Sequence, residues 1–378
     1  MKLKWKPYAK ILLIFLITRI LLEVWMWGVR QVFPGDPAGI TSKMYKGIPV
    51  ETNSWLEAWQ RWDTPQYQAI AERGYTAFDT ALFTPPLFPL LMGRSAPLFG
   101  GDTLASGLFI SGLAFLTCLV AVYLIGQNEF EDEGGAFRSA LYLAIFPTAF
   151  FLSAAYSESL FLAGAMLSLY SMRRQNWVSA GLWGALAAMT RITGPFLVVP
   201  LVFAAWQAWR HNGEWRAWFA PLITGLGSLI FPVYVWFGLH QSPIAILTAS
   251  TTRGGRLTIP GLNMLEAASR ILHGQLVEEN VLELFFTVLF IILTIYVWKK
   301  LPHIYGVYSI TLMLLFVSRF GNPQPLVSMA RYVLEIFPVF LLLAVWGRKA
   351  WINRLILYLS VLGLLFLSAQ FAIWGWVG

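Results

Sequence analysis

The sequence predicts an all-α polytopic membrane protein, and three observations carry that prediction. Of its 378 residues, 57% are hydrophobic and only 12% charged, about half the charge fraction of a soluble domain. Apolar runs recur from Ile11 to Trp376, which leaves no room for a separate soluble domain. The chain also carries 18 Trp and 14 Tyr, residues that gather where helices leave the bilayer. Mean hydropathy is +0.63. A formal charge of +8 would point to nucleic acid in a soluble protein. Here the basic residues lie mostly in short loops between apolar runs, so they read as topology signals and no nucleic-acid partner is expected. The single cysteine, Cys118, excludes an intrachain disulfide and a cysteine-based metal cluster.

The first element follows Met-Lys-Leu-Lys-Trp-Lys and runs from Ile11 to Val29. It lacks a small-residue cleavage site and continues through Trp25 and Trp27, so it reads as a retained first helix. Further runs are Leu104–Ile125, Ser139–Ala155, Leu160–Met172, Val178–Met189, Gly194–Trp209, Phe219–Leu239, Val281–Trp298, Ile304–Val317, Tyr332–Trp346 and Leu355–Trp374. A span needs roughly 20 apolar residues, so the shorter runs must borrow flanking residues. Together they predict about eleven transmembrane helices in one domain covering residues 1–378. Lys2, Lys4, Lys6 and Lys10 place the N-terminus in the cytoplasm. Alternate loops then hold Arg138, Arg173 and Arg174, Arg210 and Arg216, Lys299 and Lys300, and Arg348, Lys349 and Arg354, which satisfies the positive-inside rule. The count requires the proline-rich stretch Phe83–Phe99 not to cross. Three long segments fall outside: Gln31–Leu82, the first loop; Leu239–Asn280, holding the second loop 240–280; and Ser318–Arg331. Functional groups concentrate in loops of this kind.

The first loop contains Arg61-Trp62-Asp63-Thr64-Pro65, with Tyr67, Ile70 and Gly74-Tyr75 following. Thr64-Pro65 suits a helix start. Asp63 is then either a cap on an interfacial helix or an acid held at the membrane surface for chemistry. Glu158, in Tyr156-Ser157-Glu158-Ser159, is either a helix-start acid favoured by the dipole or a functional group, because ionisable residues at membrane depth are costly. Arg19 and Glu23 are spaced to pair along the first helix. His240 and His273 lack a third ligand at metal-site spacing, and no Asp-x-Asp motif is present.

Arg61-Trp62-Asp63 with Tyr67, Ile70-Ala71 and Gly74-Tyr75 resembles the first-loop motif of the PIG-V-like mannosyltransferases, the GPI mannosyltransferase II family within the GT-C superfamily. A second block, Pro147-x-x-Phe150-Phe151-x-Ser153-x-x-Tyr156-Ser157-Glu158-Ser159-Leu160-Phe161, is similar to that family's central signature. Pro86-Leu-Phe-Pro89, Thr190-Arg191-x-x-Gly194, Ala330-Arg331-Tyr332 and Phe337-Pro338 extend the resemblance from Arg61 to Pro338. Gln66 and Thr84-Pro85 stand where the family carries aromatics. The resemblance implies a GT-C-type bundle with interfacial helices in the first loop. It also implies transfer of a sugar, with inversion, from a polyprenyl phosphate to a lipid-linked or glycan acceptor at the extracytoplasmic face of the plasma membrane.

Inverting transfer to a hydroxyl needs a general base, and the departing phosphate calls for arginines. Asp63 is the base that the resemblance implies. Arg191, Arg331 and Arg61 are the implied phosphate ligands, and Trp62, Tyr67, Tyr156 and Glu158 position the substrate. The implied partners are the polyprenyl-phosphate sugar, the lipid or glycan acceptor and membrane lipids. No cofactor and no metal are expected. Two other readings stay open at this level. A secondary transporter would show inverted repeats, which are not evident. A non-catalytic lipid-binding subunit of a surface-polysaccharide complex is the other.

Overall fold

The computed structural model describes residues 5–34, 44–130, 132–246, 255–275, 277–321 and 324–377, and most of these are helical. Among the described residues the one β element is a two-residue antiparallel ladder of β1 (Arg256–Leu257) and β2 (Arg319–Phe320). Among the described residues five helical stretches are long and apolar enough to cross a bilayer: Lys6–Val32, Thr103–Glu129, Trp215–Phe237, Val277–Lys300 and Ala350–Ala372. Met329–Glu335 and Pro338–Trp346, bent by 82°, would make a sixth if joined. The chain is a multi-pass membrane protein, although length alone supports fewer spans than the eleven expected. The middle runs form shorter helices, among them α5 (Glu133–Ile145), α6 (Glu158–Arg173), α7 (Trp177–Ala188) and α8 (Val198–Asn212). The 12 residues of α7 rise about 18 Å, well short of the roughly 30 Å hydrocarbon core. Breaks at Phe146-Pro147 and Gly194-Pro195 cut these runs.

The single domain expected from sequence separates into two compact units. The first comprises Met1–Ala77, Phe88–Met166 and Leu343–Trp376; the second comprises Phe78–Leu87, Leu167–Leu342 and Val377–Gly378.

In the first unit α1 (Trp5–Val32) packs on α4 (Thr103–Glu129), α5 and α15 (Ala350–Ala372). At one end Tyr8 meets Tyr123, and Lys10 lies over the Phe137 ring. Asp132 caps α5 through the Gly135 amide and pairs with Arg138 and Arg348 there. The first loop covers the opposite end, with Arg61 donating to the Ala372 carbonyl and Thr103 to Glu72. The helix α2 (Thr64–Arg73) lies in this loop. The proline-rich stretch follows it. Its helix α3 (Leu87–Ser95) has nine residues, about 14 Å, and stays beside the start of α4, where Ser106 donates to the Met92 carbonyl at 2.7 Å. Neither α3 nor the turn after it is long enough on its own to span a bilayer. A tight turn at Gly100 and Gly101, both at positive φ, leads into α4, whose first amides are capped by Asp102.

In the second unit α7 packs against α9 (Phe219–Phe237) through small residues, with Gly181 against Ile223, Gly184 against Thr224 and Gly227 against Ala185. Close backbone approach through small residues is how helices associate in lipid. The remaining helices are α10 (Leu262–Leu272), α11 (Val277–Lys300), α12 (His303–Val317), the short α13 (Met329–Tyr332) and the start of α14 (Pro338–Trp346). The segment before α10 is laced to the end of α12. Thr258 N–H donates to Ser318 and Gly261 N–H to Val317. Asn263 donates to the carbonyls of Phe316 and Arg319. Buried Glu283 of α11 accepts the amides of Ser328 and Ala330 and so caps α13.

Candidate active site

The first unit holds the acid-bearing motif. The Tyr156 hydroxyl donates to the Arg61 carbonyl at 3.1 Å and accepts the Asp63 amide at 3.1 Å. It therefore bridges the backbone across Trp62, which adopts φ +52, a conformation rare for a bulky residue. Tyr156 is fully buried, so its polar end serves as a clamp on the motif. Tyr67, the other tyrosine, shares a 2.7 Å hydrogen bond with Ser157 and packs edge-on against Phe88. The two sequence blocks are thus joined by direct contacts.

Asp63 is partly exposed. Its main-chain carbonyl accepts the amides of Gln66 and Tyr67 at the head of α2, but its side chain makes no capping bond. Instead Oδ1 accepts from the Gln66 side chain at 2.9 Å. The alternative that Asp63 is an N-cap is therefore not what the carboxylate does. Gln66, standing where the family has an aromatic, is one of its partners.

Arg61 differs from the role its motif implies. It is buried, with 1% exposure. Nε donates to Ala372 and Nη1 to Glu57, both main-chain carbonyls, while Nη2 faces the Glu57 carboxylate. The guanidinium also lies 4.9 Å over the Trp374 ring. These contacts make Arg61 a strut between the loop and the end of α15. Glu158 is buried at the first residue of α6. Arg19 and Glu23, expected to pair along α1, do interact electrostatically, and each also reaches a further partner. Arg19 donates to the Ser153 carbonyl at 2.7 Å and lies over the Trp59 ring; Glu23 accepts the Trp59 indole N–H at 2.9 Å. Two charges in an apolar span were the available signal of such a task.

The second unit holds the cations. Arg191, Arg319 and Arg331 all lie 5.3–5.5 Å from the centre of the Tyr332 ring, so Arg191 and Arg331, chosen from sequence, come together. Arg191 pairs with buried Glu335 at 2.8 Å. Sequence reasoning missed Arg319. It donates to the Tyr332 hydroxyl at 2.6 Å and sits 5.2 Å over Phe83. The β1–β2 ladder and Asn263 fix its backbone. Among the described residues Arg319 has no carboxylate partner. Three guanidiniums around one phenol repel one another, and the planar fork of each can donate to two oxygens of an anion.

Comparison with known proteins places this architecture. The structure resembles that of ArnT from Cupriavidus metallidurans bound to undecaprenyl phosphate, with a TM-score of 0.50 at 12% identity over 87% of this chain and 59% of that one. At that identity the likeness is one of fold. A family model for dolichyl-phosphate-mannose-protein mannosyltransferases matches residues 84–236. GPI alpha-1,6-mannosyltransferase 2 of Mus musculus is 32% identical over 168 residues, 42% of this chain and 32% of that protein. GPI mannosyltransferase 2 of Yarrowia lipolytica is 25% identical over 186 residues, 49% of this chain and 50% of that protein. The chain thus spans a third to a half of the length of the curated relatives it matches. In sequence the chain is similar to GPI mannosyltransferase 2 proteins, and in fold it is similar to ArnT.

Proposed function

We propose that the protein is a membrane glycosyltransferase that moves mannose from a polyprenyl phosphate to a lipid-linked or surface-glycan hydroxyl at the extracytoplasmic face, with inversion. The observation that carries this reading is the presentation of Asp63. It is a partly exposed carboxylate on a backbone held by a buried tyrosine, and it is not spent on capping its helix. Asp63 takes the proton of the acceptor hydroxyl as that oxygen bonds to the anomeric carbon. The bond from that carbon to the phosphate oxygen breaks, and the lipid phosphate leaves with the electron pair. Arg331, Arg319 and Arg191 meet the charge that develops on this phosphate. Trp62 and Tyr67 position the sugar. Glu158 supports the site from the start of α6, and Tyr156 holds the motif's backbone. Arg61 acts at a distance, by holding the loop to α15.

Support for mannose comes from the relatives' names and the family model; support for a polyprenyl carrier comes from the lipid bound to ArnT. Purified protein in liposomes, offered radiolabelled mannose on either a polyprenyl phosphate or a nucleoside diphosphate, tests the donor class. Label should pass to a lipid or glycan acceptor only from the polyprenyl form. Transfer from the nucleotide sugar alone would overturn the proposal.

A further inference from the structure

Beyond Asp63 and the arginines, the first unit contains a tryptophan cluster of which the mechanism above uses only Trp62. After α15 ends at Ala372, the segment Ile373–Trp376 lies against the first loop. Trp374 and Trp376 meet Trp62 edge-to-face, with ring centres 5.6 and 5.1 Å apart. All three indole nitrogens are sealed from solvent and lack an acceptor among the described residues. A buried donor without a partner costs about 1–3 kcal/mol, and most such groups in native proteins are paired. Three in one cluster, one residue from Asp63, form a set of donors waiting for oxygens.

Two more observations point the same way. Trp62 and Trp374 both sit at positive φ, +52 and +65. Bulky side chains rarely adopt that conformation, and it concentrates at ligand sites. Trp374 is 97% buried by exposure, with Tyr45 at its edge and Arg61 over its face. Membrane-belt tryptophans would not look like this, because they keep their N–H groups in the headgroup layer. Edge-to-face contacts offer an N–H only a weak π acceptor. Trp62 and Trp376 keep part of their rings at the surface, so rotation of either opens the cluster.

Resting on the transferase reading, we infer that Trp62, Trp374 and Trp376 form a cradle for a pyranose of the acceptor, beside the base. Indole faces cover the apolar C–H face of a sugar ring, and indole N–H groups donate to its hydroxyls.

The test uses the full-length protein in detergent, with Trp374→Phe and Trp376→Phe to remove each N–H while keeping an aromatic ring. Trp298→Phe, which lies outside the cluster, is the control. Saturation-transfer NMR with methyl α-mannoside should show binding to wild type and to Trp298→Phe, and about tenfold weaker binding to either cluster variant. In transfer assays with a mannose-capped lipid acceptor, the same variants should raise the acceptor KM more than they lower kcat, with donor KM unmoved. Equal mannoside binding by all four proteins would overturn the cradle. A rise in donor KM instead would place the donor's sugar there and overturn the acceptor assignment. Wild type that transfers mannose only to a threonine peptide would sink the saccharide acceptor and leave the transferase standing. Mannoside binding that depends on Trp374 and Trp376, with no transfer from any donor, would sink the transferase reading and leave the cradle. A cluster variant with a lowered Tm is replaced in the comparison by the other.

Discussion

The two units treat their charged residues in opposite ways. In the first, Arg61, Arg19 and Glu23 are directed at carbonyls, rings and an indole N–H, so charge is used to hold a loop. Asp63 is left partly exposed by that scaffold. In the second, three guanidiniums crowd one tyrosine ring, and Arg319 among them has no carboxylate partner among the described residues. In the first unit charge is saturated mainly by backbone and rings, whereas in the second Arg191 is held by Glu335 and Arg319 by the Tyr332 hydroxyl. The comparison assigns Arg61 to the first kind even though its motif suggested a phosphate ligand.

Substitutions can break that division. The largest effect on folding is expected from Glu335→Ala, which leaves Arg191 buried without its 2.8 Å ion-pair partner. Losing one member of a buried pair costs about 3–5 kcal/mol, and thermal melts in detergent should show it. Arg319→Lys keeps the charge and loses the planar fork. It should raise the donor KM about tenfold, the discrimination of about one bidentate contact, with little change in Tm. Arg61→Lys should do the reverse, lowering Tm with donor KM near wild type, and a donor KM effect there would return Arg61 to the phosphate. Tyr156→Phe removes only the hydroxyl that bridges Arg61 and Asp63. It should cost about 1–3 kcal/mol and lower kcat without moving donor KM.

The smallest effect concerns Asp132, at the far end of the first unit. Burial pushes its carboxyl up, but the Gly135 amide and the guanidiniums of Arg138 and Arg348 outweigh that and hold it below the usual carboxylate range. Its stabilisation is present above the unfolded carboxylate pKa of about 4 and fades as pH falls through the lower folded value. Tm should drop less with acid in Asp132→Asn than in wild type. Equal acid sensitivity would show that these contacts contribute nothing.

Much of this was legible in the sequence, for identifiable reasons. Membrane class and the first helix followed from apolar length and loop charge. Both depend only on local composition. The motif blocks named Asp63, Arg191 and Arg331, and two of those three converge on Tyr332. Helix lengths were less legible, because Pro147 and Gly194-Pro195 shorten the middle helices in ways that hydropathy does not register. Arg319 was hidden because it lies on a two-residue strand whose position depends on Asn263 and on pairing with Arg256–Leu257, some 60 residues earlier. Trp374 and Trp376 looked like membrane-belt residues, and only the meeting of Ile373–Trp376 with the first loop shows their N–H groups to be sealed. Arg19 and Glu23 had spacing that fitted an intrahelical pair, and nothing local revealed Trp59 or Ser153 as competing partners.

The central claim is that Asp63 is the general base, and one comparison tests it most directly. Single-turnover transfer from polyprenyl-phosphate mannose should be measured for wild type, Asp63→Asn and Glu158→Gln, with donor binding measured alongside. Asp63→Asn keeps size and most hydrogen bonding but cannot take a proton. It should bind donor normally and lose at least about a hundredfold in rate, in line with the usual contribution of a general base, while Glu158→Gln keeps measurable transfer. Near-normal transfer by Asp63→Asn, with transfer abolished in Glu158→Gln, would move the base to the start of α6 and contradict the account.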